Sequence, residues 1–159
     1  MSALHAAATL GLVAVATASF LEAASPDADR ASARSRPEAR PQPALSAVLA
    51  GRDGRKVSGS ATARPTSDGK GTEVTVTIDG DTPGATRPWH VHSGSCTKSG
   101  GVVGGGRAYS PITIDAKGKG RATATVPAAL ADTATYYVNI HDSAAAMSII
   151  VACGDLGRR

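Results

Sequence analysis

The chain has 159 residues, of which 42% are hydrophobic and 19% charged, and this suits one folded domain plus a targeting segment. Aromatic residues make up only 3%, so a core has to rest on Val, Ile, Leu and Ala. The formal net charge is +4, but Lys and Arg are scattered rather than gathered in a stripe with aromatic side chains, which argues against nucleic-acid binding.

Residues 1–24 are predicted to be a secretory signal peptide. Residues 6–21 are apolar or small and uncharged, and small residues near the end of the segment offer cleavage positions. No Lys or Arg precedes this run, and the run is short for a membrane span, so we expect export rather than anchoring. The protein is therefore expected to be secreted, periplasmic or associated with the cell wall, with no membrane span after signal removal.

Residues 25–43 are predicted to form a disordered linker. The stretch contains four Pro, many small residues and alternating charges, and it has neither helical nor strand periodicity. The folded domain is expected to begin near residue 44 and to extend to about residue 157.

This folded domain is predicted to be all-β, because short alternating runs are separated by Gly, Pro and Asp. The clearest run places Val74, Val76 and Ile78 on one strand face and polar residues on the other. The predicted strands cover residues 44–51, 55–65, 72–79, 87–93, 110–116, 120–127, 134–142 and 147–155. A glycine-rich loop is expected at 99–106. Eight short strands without a long helix favour a Greek-key sandwich or flattened barrel.

The histidines form a candidate metal site. His5 lies in the predicted signal peptide, which leaves three histidines in the exported chain. His90 and His92 are two residues apart on a predicted strand, so they share one face while Val91 faces the core. His141 has the same relation to the core-directed residues of its own strand. These three imidazoles are therefore placed to converge on one ion.

Imidazole ligands without carboxylates favour copper over zinc at such a site. The same spacing also occurs on exposed strands that carry only a polar face, so the pattern alone leaves a site without metal open.

The two cysteines, Cys96 and Cys153, also leave two interpretations. An even count in an exported chain suggests one disulfide bond, which stabilises a fold by about 4 kcal/mol for so long a loop in the chain-entropy model. Two buried free thiols are the alternative if the protein stays in the cytosol.

Three motifs, "WHVHSGSC", "VNIHDSA" and "VACGDLG", resemble the Cu/Zn superoxide dismutase family and its shortened bacterial relatives. The resemblance spans roughly residues 44–157 and rests on the order and type of the motifs. It implies a Greek-key β-sandwich, copper ligation by His90, His92 and His141, and a disulfide between Cys96 and Cys153.

The chain departs from the family in the zinc site and in the guidance of superoxide. No histidine occurs between Cys96 and Tyr109, so the bridging ligand and the zinc histidines of the family are missing. Asp115 falls where the family has its zinc aspartate, and we expect it to serve a turn. Ile150 stands where the family has an arginine that guides superoxide. Copper is therefore the expected cofactor, and zinc is not.

These features support three functional hypotheses. The first is superoxide dismutation at a three-histidine copper site, with Arg87, Lys98 and Arg107 as the nearest cations in sequence to attract the anion. The second is copper binding for storage, delivery or tolerance, without catalysis. The third is a secreted β scaffold without metal. The partners expected are therefore superoxide or a copper ion, and the sequence leaves the oligomeric state open.

Overall fold

The computed structural model describes residues 44–158, which include the whole predicted β domain. The predicted signal peptide, residues 1–24, and the predicted linker, residues 25–43, lie outside the described residues. Within residues 44–158, no helix is long and apolar enough to cross a membrane.

The described chain is all-β, as predicted, with ten strands and one 3-10 turn at Gly106–Ala108. The strands, numbered in chain order, are Leu45–Gly51 (β1), Ser58–Pro65 (β2), Thr72–Asp79 (β3), Thr86–Arg87 (β4), Trp89–Ser95 (β5), Lys98–Val102 (β6), Ile112–Thr113 (β7), Gly120–Val126 (β8), Tyr136–His141 (β9) and Ile150–Arg158 (β10).

Eight of these strands form one antiparallel sheet in the order β6-β5-β9-β10-β1-β2-β3-β8, which curls into a half-barrel. The remaining two strands, β4 and β7, pair with each other in a small second sheet. The order places β5 directly beside β9, so the segments "WHVH" and "NIH" are hydrogen-bonded neighbours although about 50 residues separate them. This adjacency positions the candidate metal site.

The strand predictions fail in two places. The predicted strand at 110–116 is reduced to β7, and part of the predicted glycine-rich loop at 99–106 is β6. The sequence of β6, "KSGGV", has no apolar alternation, because this edge strand buries no side chain. Its pairing with β5 comes from hydrogen bonds and not from apolar packing, and hydrophobic periodicity cannot reveal such a pairing.

The core lies on one face of the curled sheet. Val74, Val76 and Ile78 are at most 3% exposed, which confirms the face predicted for β3. Trp89 on β5 and Val138 on β9 are fully buried in the same core. Burial of each such valine stabilises the fold by about 1.5–3 kcal/mol. The opposite face of β5 and β9 carries the three histidines.

A disulfide bond joins Cys96 to Cys153, as predicted, with a Cα–Cα distance of 6.0 Å. Cys96 lies in the turn between β5 and β6, and Cys153 lies within β10. The Cys96 amide also donates a 2.7 Å hydrogen bond to Asp155 Oδ1 on β10. The β5–β6 hairpin is thereby tied to a strand that is not its direct neighbour in the sheet.

Candidate metal centre

The pairing of β5 with β9 brings the three histidines together. His90 lies opposite Asn139, and His92 lies opposite Tyr137, so all four side chains project from the same face. His141, two residues after Asn139, shares that face. One nitrogen from each of the three histidines lies within 4.8 Å of the other two. The predicted convergence of the three rings is therefore present, and they form the only such group among residues 44–158.

Backbone carbonyls fix the tautomers of two of these rings. His92 Nδ1 lies 3.0 Å from the Gly100 carbonyl oxygen, and His141 Nδ1 lies 2.6 Å from that of Met147. A carbonyl oxygen can only accept, so each Nδ1 carries the proton and each Nε2 carries a free lone pair. The buried Nε2 of His92 has no hydrogen-bond partner among the described residues.

His90 completes the group through its Nδ1 atom, which lies 3.2 Å from His141 Nε2. Because His141 Nε2 is an acceptor, His90 Nδ1 donates the proton of this hydrogen bond in the metal-free protein. The ring centroid of His90 lies 5.8 Å from that of His92 and 5.1 Å from that of His141. Two lone pairs and one exchangeable N–H group therefore face a common space.

Aromatic side chains hold the rings in place. Tyr137 stacks on His92 with centroids 5.1 Å apart, and Tyr109 packs edge-on against His90 at 5.3 Å. The Tyr109 hydroxyl donates a 2.8 Å hydrogen bond to the Val103 carbonyl oxygen. These contacts restrict ring rotation, and a restricted ligand loses less conformational freedom when an ion binds.

The glycine-rich segment lies against the site. A Cβ atom on Gly106 would lie 3.4 Å from His90 Nε2, and one on Gly100 would lie 2.5 Å from the Ser93 carbonyl oxygen. Gly94, at the irregularity between β5 and β6, has φ of 100°, which glycine adopts most readily. Small residues at these positions let the chain pass close enough for the Gly100 carbonyl to reach His92.

Burial lowers the pKa of two of the three histidines, His90 and His141. Burial, with further contributions from His141 and His92, lowers the pKa of His90 to about 4. Burial also lowers the pKa of His141, although the hydrogen bond to Met147 opposes this effect. His141 is only 5% exposed, where an outward, non-core face was expected. Neutral imidazoles are the form that binds a metal ion.

Arg87 does not have the role expected for it. It is buried, and its Nη2 atom lies 2.7 Å from Asp81 Oδ1, while its Nη1 atom donates to the Asp142 carbonyl oxygen at 2.5 Å. A guanidinium engaged in this way cannot attract an anion from solvent. It instead fixes the backbone directly after His141. Lys98 and Arg107, the other two expected cations, are exposed.

Asp115 serves a turn, as predicted. Its Oδ1 atom accepts hydrogen bonds from the backbone amides of Lys117 and Lys119 at 2.8 and 2.9 Å. It belongs to no metal-ligating group among the described residues.

Sequence reasoning missed the supporting residues Tyr137, Met147 and Gly100. For Tyr137 a signal was present, because it shares the strand parity of His141 in "YYVNIH". For Met147 and Gly100 there was none, since they act through main-chain carbonyls whose direction depends on the fold.

Comparison with known proteins gives no family for this chain: no protein-family model matches it, and no curated protein sequence is significantly similar. The function has to be argued from the geometry of the three-histidine cluster on the curled β-sheet.

Proposed function

We propose that this protein is an exported copper-binding protein with a superoxide dismutase-like Greek-key domain, in which His90, His92 and His141 hold one copper ion. One observation carries the proposal: three imidazoles meet within 4.8 Å, and the buried Nε2 of His92 has no partner among the described residues. An unpartnered buried acceptor is unfavourable unless something binds it. A cation fills that need.

The donor set favours copper. The cluster contains imidazole nitrogens and neither thiolate nor carboxylate. Such a set suits Cu(II), which heads the divalent affinity order, and three nitrogens also suit Cu(I). A structural zinc site takes four ligands, and residues 44–158 supply three at this place. Bound copper would supply one-electron redox chemistry.

The residues have distinct roles in binding. His92 and His141 are preset, because Gly100 and Met147 hold their Nδ1 protons and leave each Nε2 free. His90 has to release its Nδ1 proton, which it shares with His141, and take one at Nε2. This change moves one proton within the His90 ring and converts one neutral tautomer into the other.

Dismutation of superoxide is the first candidate reaction. Two superoxide anions and two protons give dioxygen and hydrogen peroxide, and the reaction needs a one-electron metal that a small anion can reach. His90 and His92 are both partly exposed, so the cluster is not sealed from solvent. The resemblance of "WHVHSGSC" and "VNIHDSA" to superoxide dismutases supports this candidate. The exposed Lys98 and Arg107 are the remaining candidates for steering the anion.

Copper binding without catalysis, for storage or delivery of the ion, is the second candidate. Arg87 is occupied by Asp81 and Asp142, and the residue that lies opposite His141 in β10 is the apolar Ile150. A site with little positive charge beside it attracts anions weakly. This arrangement favours storage or delivery of the ion over rapid turnover.

The proposed export rests on the apolar segment at residues 6–21. The disulfide between Cys96 and Cys153 fits an oxidising compartment, where such bonds persist.

Copper titration of the metal-free protein tests the binding function. We expect one copper ion per chain, with quenching of the single tryptophan, Trp89, which adjoins His90. His92→Ala should weaken binding by more than the roughly 10–100-fold cost of losing an outer hydrogen-bond partner. Lys98→Gln, an exposed non-ligand change nearby, is the control and should bind as the wild type does. Unchanged affinity in His92→Ala would exclude the site.

The rate of superoxide removal separates the two candidates. A copper-loaded enzyme should remove superoxide faster per copper than free copper ion does under the same conditions. A rate no faster than that of free copper would end the catalytic candidate and leave copper binding without catalysis.

A further inference from the structure

A cavity of about 350 Å³ lies beside the three-histidine cluster without including any of its histidines. Its lining comes from the turn after β1, the β5–β6 hairpin, β9, β10 and the loop before β10. The volume lies within the 300–1,000 Å³ typical of small-molecule sites, and the lining is more polar than in most such sites. Tyr137 belongs both to this lining and to the metal centre, where it stacks on His92.

The inner part of the cavity is polar and buried. Tyr137 is 1% exposed, and its buried hydroxyl has no hydrogen-bond partner among the described residues. Asn139 is 8% exposed, and its carboxamide offers both donors and an acceptor. Ser99 adds a hydroxyl to the same lining. Unpartnered buried polar groups are costly, so this combination indicates space for a polar ligand.

The outer part of the cavity is lined by one positively charged residue, one negatively charged residue and apolar groups. Arg52 and Asp53 are neighbours on the exposed turn after β1, and both line the cavity. Ile149 is 44% exposed, and it lines the cavity together with the Cys96–Cys153 disulfide. A simple anion would leave Asp53 unmatched, and a simple cation would leave Arg52 unmatched.

We infer that this cavity binds a free α-amino acid with an apolar side chain. Arg52 takes the carboxylate and Asp53 takes the ammonium group from the outer side of the cavity, and Asn139 hydrogen-bonds the carboxylate from the inner side. The side chain of the ligand packs on Ile149 and on the disulfide. This ligand uses both charges and the apolar wall, whereas a carboxylic acid or an amine uses only one of the charges. The site is distinct from the copper site, and it needs no metal.

The test is a titration of the metal-free, 15N-labelled protein with leucine, followed by NMR. Asn139 is the only asparagine in the chain and Gln42 the only glutamine, so the side-chain amide signals of Asn139 report the cavity once those of Gln42 are assigned. We expect saturable shifts of these signals with leucine. At equal concentration, 4-methylpentanoate, which lacks the ammonium group, and 3-methylbutylamine, which lacks the carboxylate, should bind at least about tenfold more weakly.

Variants of Arg52 and Asp53 test the two proposed charged contacts with the ligand. Arg52→Gln and Asp53→Asn should each weaken leucine binding about tenfold or more. Asp53 has φ of 51°, a conformation that asparagine tolerates, so this change preserves the turn. Arg121→Gln, on β8 and outside the cavity lining, is the control and should leave binding unchanged.

Three results would overturn the inference: no shift of the Asn139 signals with leucine, equal binding of either analogue, or full affinity in Arg52→Gln. Since copper is absent throughout, failure here is separate from failure of the copper site.

Discussion

His92 is held from two sides before any ion is bound: Gly100 accepts its Nδ1 proton, and Tyr137 stacks on its ring. At this scale the sequence predicts much, since strand parity places His90 and His92 on one face of their strand and His141 on the face of its own strand that is directed away from the core. It does not predict the tautomers, because they depend on carbonyl groups brought close by the fold. Nor does the sequence predict that Arg87 forms ion pairs with carboxylates, because one of its partners, Asp142, is 55 residues away in the chain.

Acidification should destabilise the metal-free protein through the histidine cluster. The pKa of His90 falls from 6.5 to about 4 on folding, so above pH 6.5 the ring is neutral in both states. Between pH 6.5 and 4 the unfolded chain binds more protons, and the free energy of unfolding decreases as pH falls. The lowered pKa of His141 acts in the same direction.

Urea unfolding followed by Trp89 fluorescence at pH 7, 5.5 and 4.5 measures this effect. His90→Gln should show a smaller decrease in the free energy of unfolding than the wild type. An equal decrease in both proteins would contradict the assigned role of His90.

Removal of the Arg87 side chain should destabilise the fold strongly. In Arg87→Leu, the Asp81 carboxylate, whose side chain is 3% exposed, would remain buried without its partner. Breaking a buried ion pair on one side costs about 3–5 kcal/mol. Chemical denaturation should show this loss, and the double variant Arg87→Leu with Asp81→Leu should recover much of it. A loss below about 1 kcal/mol in the single variant would show that the pair is not structural.

At the scale of elements, the β5–β6 hairpin carries His92 and also the carbonyl that orients it. The hairpin was only half predicted from the sequence. Strand β5 has the alternation "WHVH", whereas β6 is glycine-rich and reads as a loop. Glycine is needed in β6 because its backbone passes close to that of β5. This requirement comes from the tertiary structure, so the local sequence pattern does not reveal it.

Gly100→Ala should weaken copper binding, while Gly101→Ala should not. A Cβ atom at Gly100 would lie 2.4 Å from Ser93 Oγ and 2.5 Å from the Ser93 carbonyl oxygen, so the strand has to shift. That shift would move the carbonyl away from His92 and cost about tenfold in copper affinity, as is usual for outer partners of a ligand. A Cβ atom at Gly101 meets nothing within 4 Å, which makes this variant the matched control.

Copper affinity measured by competition titration separates the two variants. Equal affinities for Gly100→Ala and Gly101→Ala would contradict the role of the Gly100 carbonyl.

At the scale of the whole molecule, the half-barrel and the disulfide act together to hold the site. Composition and turn spacing were enough to predict an all-β domain, and the even cysteine count was enough to suggest the bond. The strand order was not predictable from periodicity, because the neighbours β5 and β9 are far apart in sequence. Only this order turns two separate histidine motifs into one cluster.

Loss of the disulfide should lower global stability. The bond closes a separation of 57 residues, for which the chain-entropy model gives about 4 kcal/mol. The variant Cys96→Ser with Cys153→Ser should therefore unfold at a lower denaturant concentration than the oxidised wild type. Reductant should lower the midpoint of the wild type and leave that of the variant unchanged. Identical midpoints for variant and oxidised wild type would contradict the stabilising role.

Electron paramagnetic resonance of the protein loaded with one equivalent of Cu(II) tests the metal centre most directly. Because His90, His92 and His141 are the only histidines among residues 44–158, protein grown with natural histidine can be compared decisively with protein grown with 15N-labelled histidine. Hyperfine splitting from three equatorial imidazole nitrogens, changed by the label and reduced in His141→Ala, is the predicted result. Splitting from fewer than two imidazoles, or a spectrum that the label does not change, would contradict binding by His90, His92 and His141.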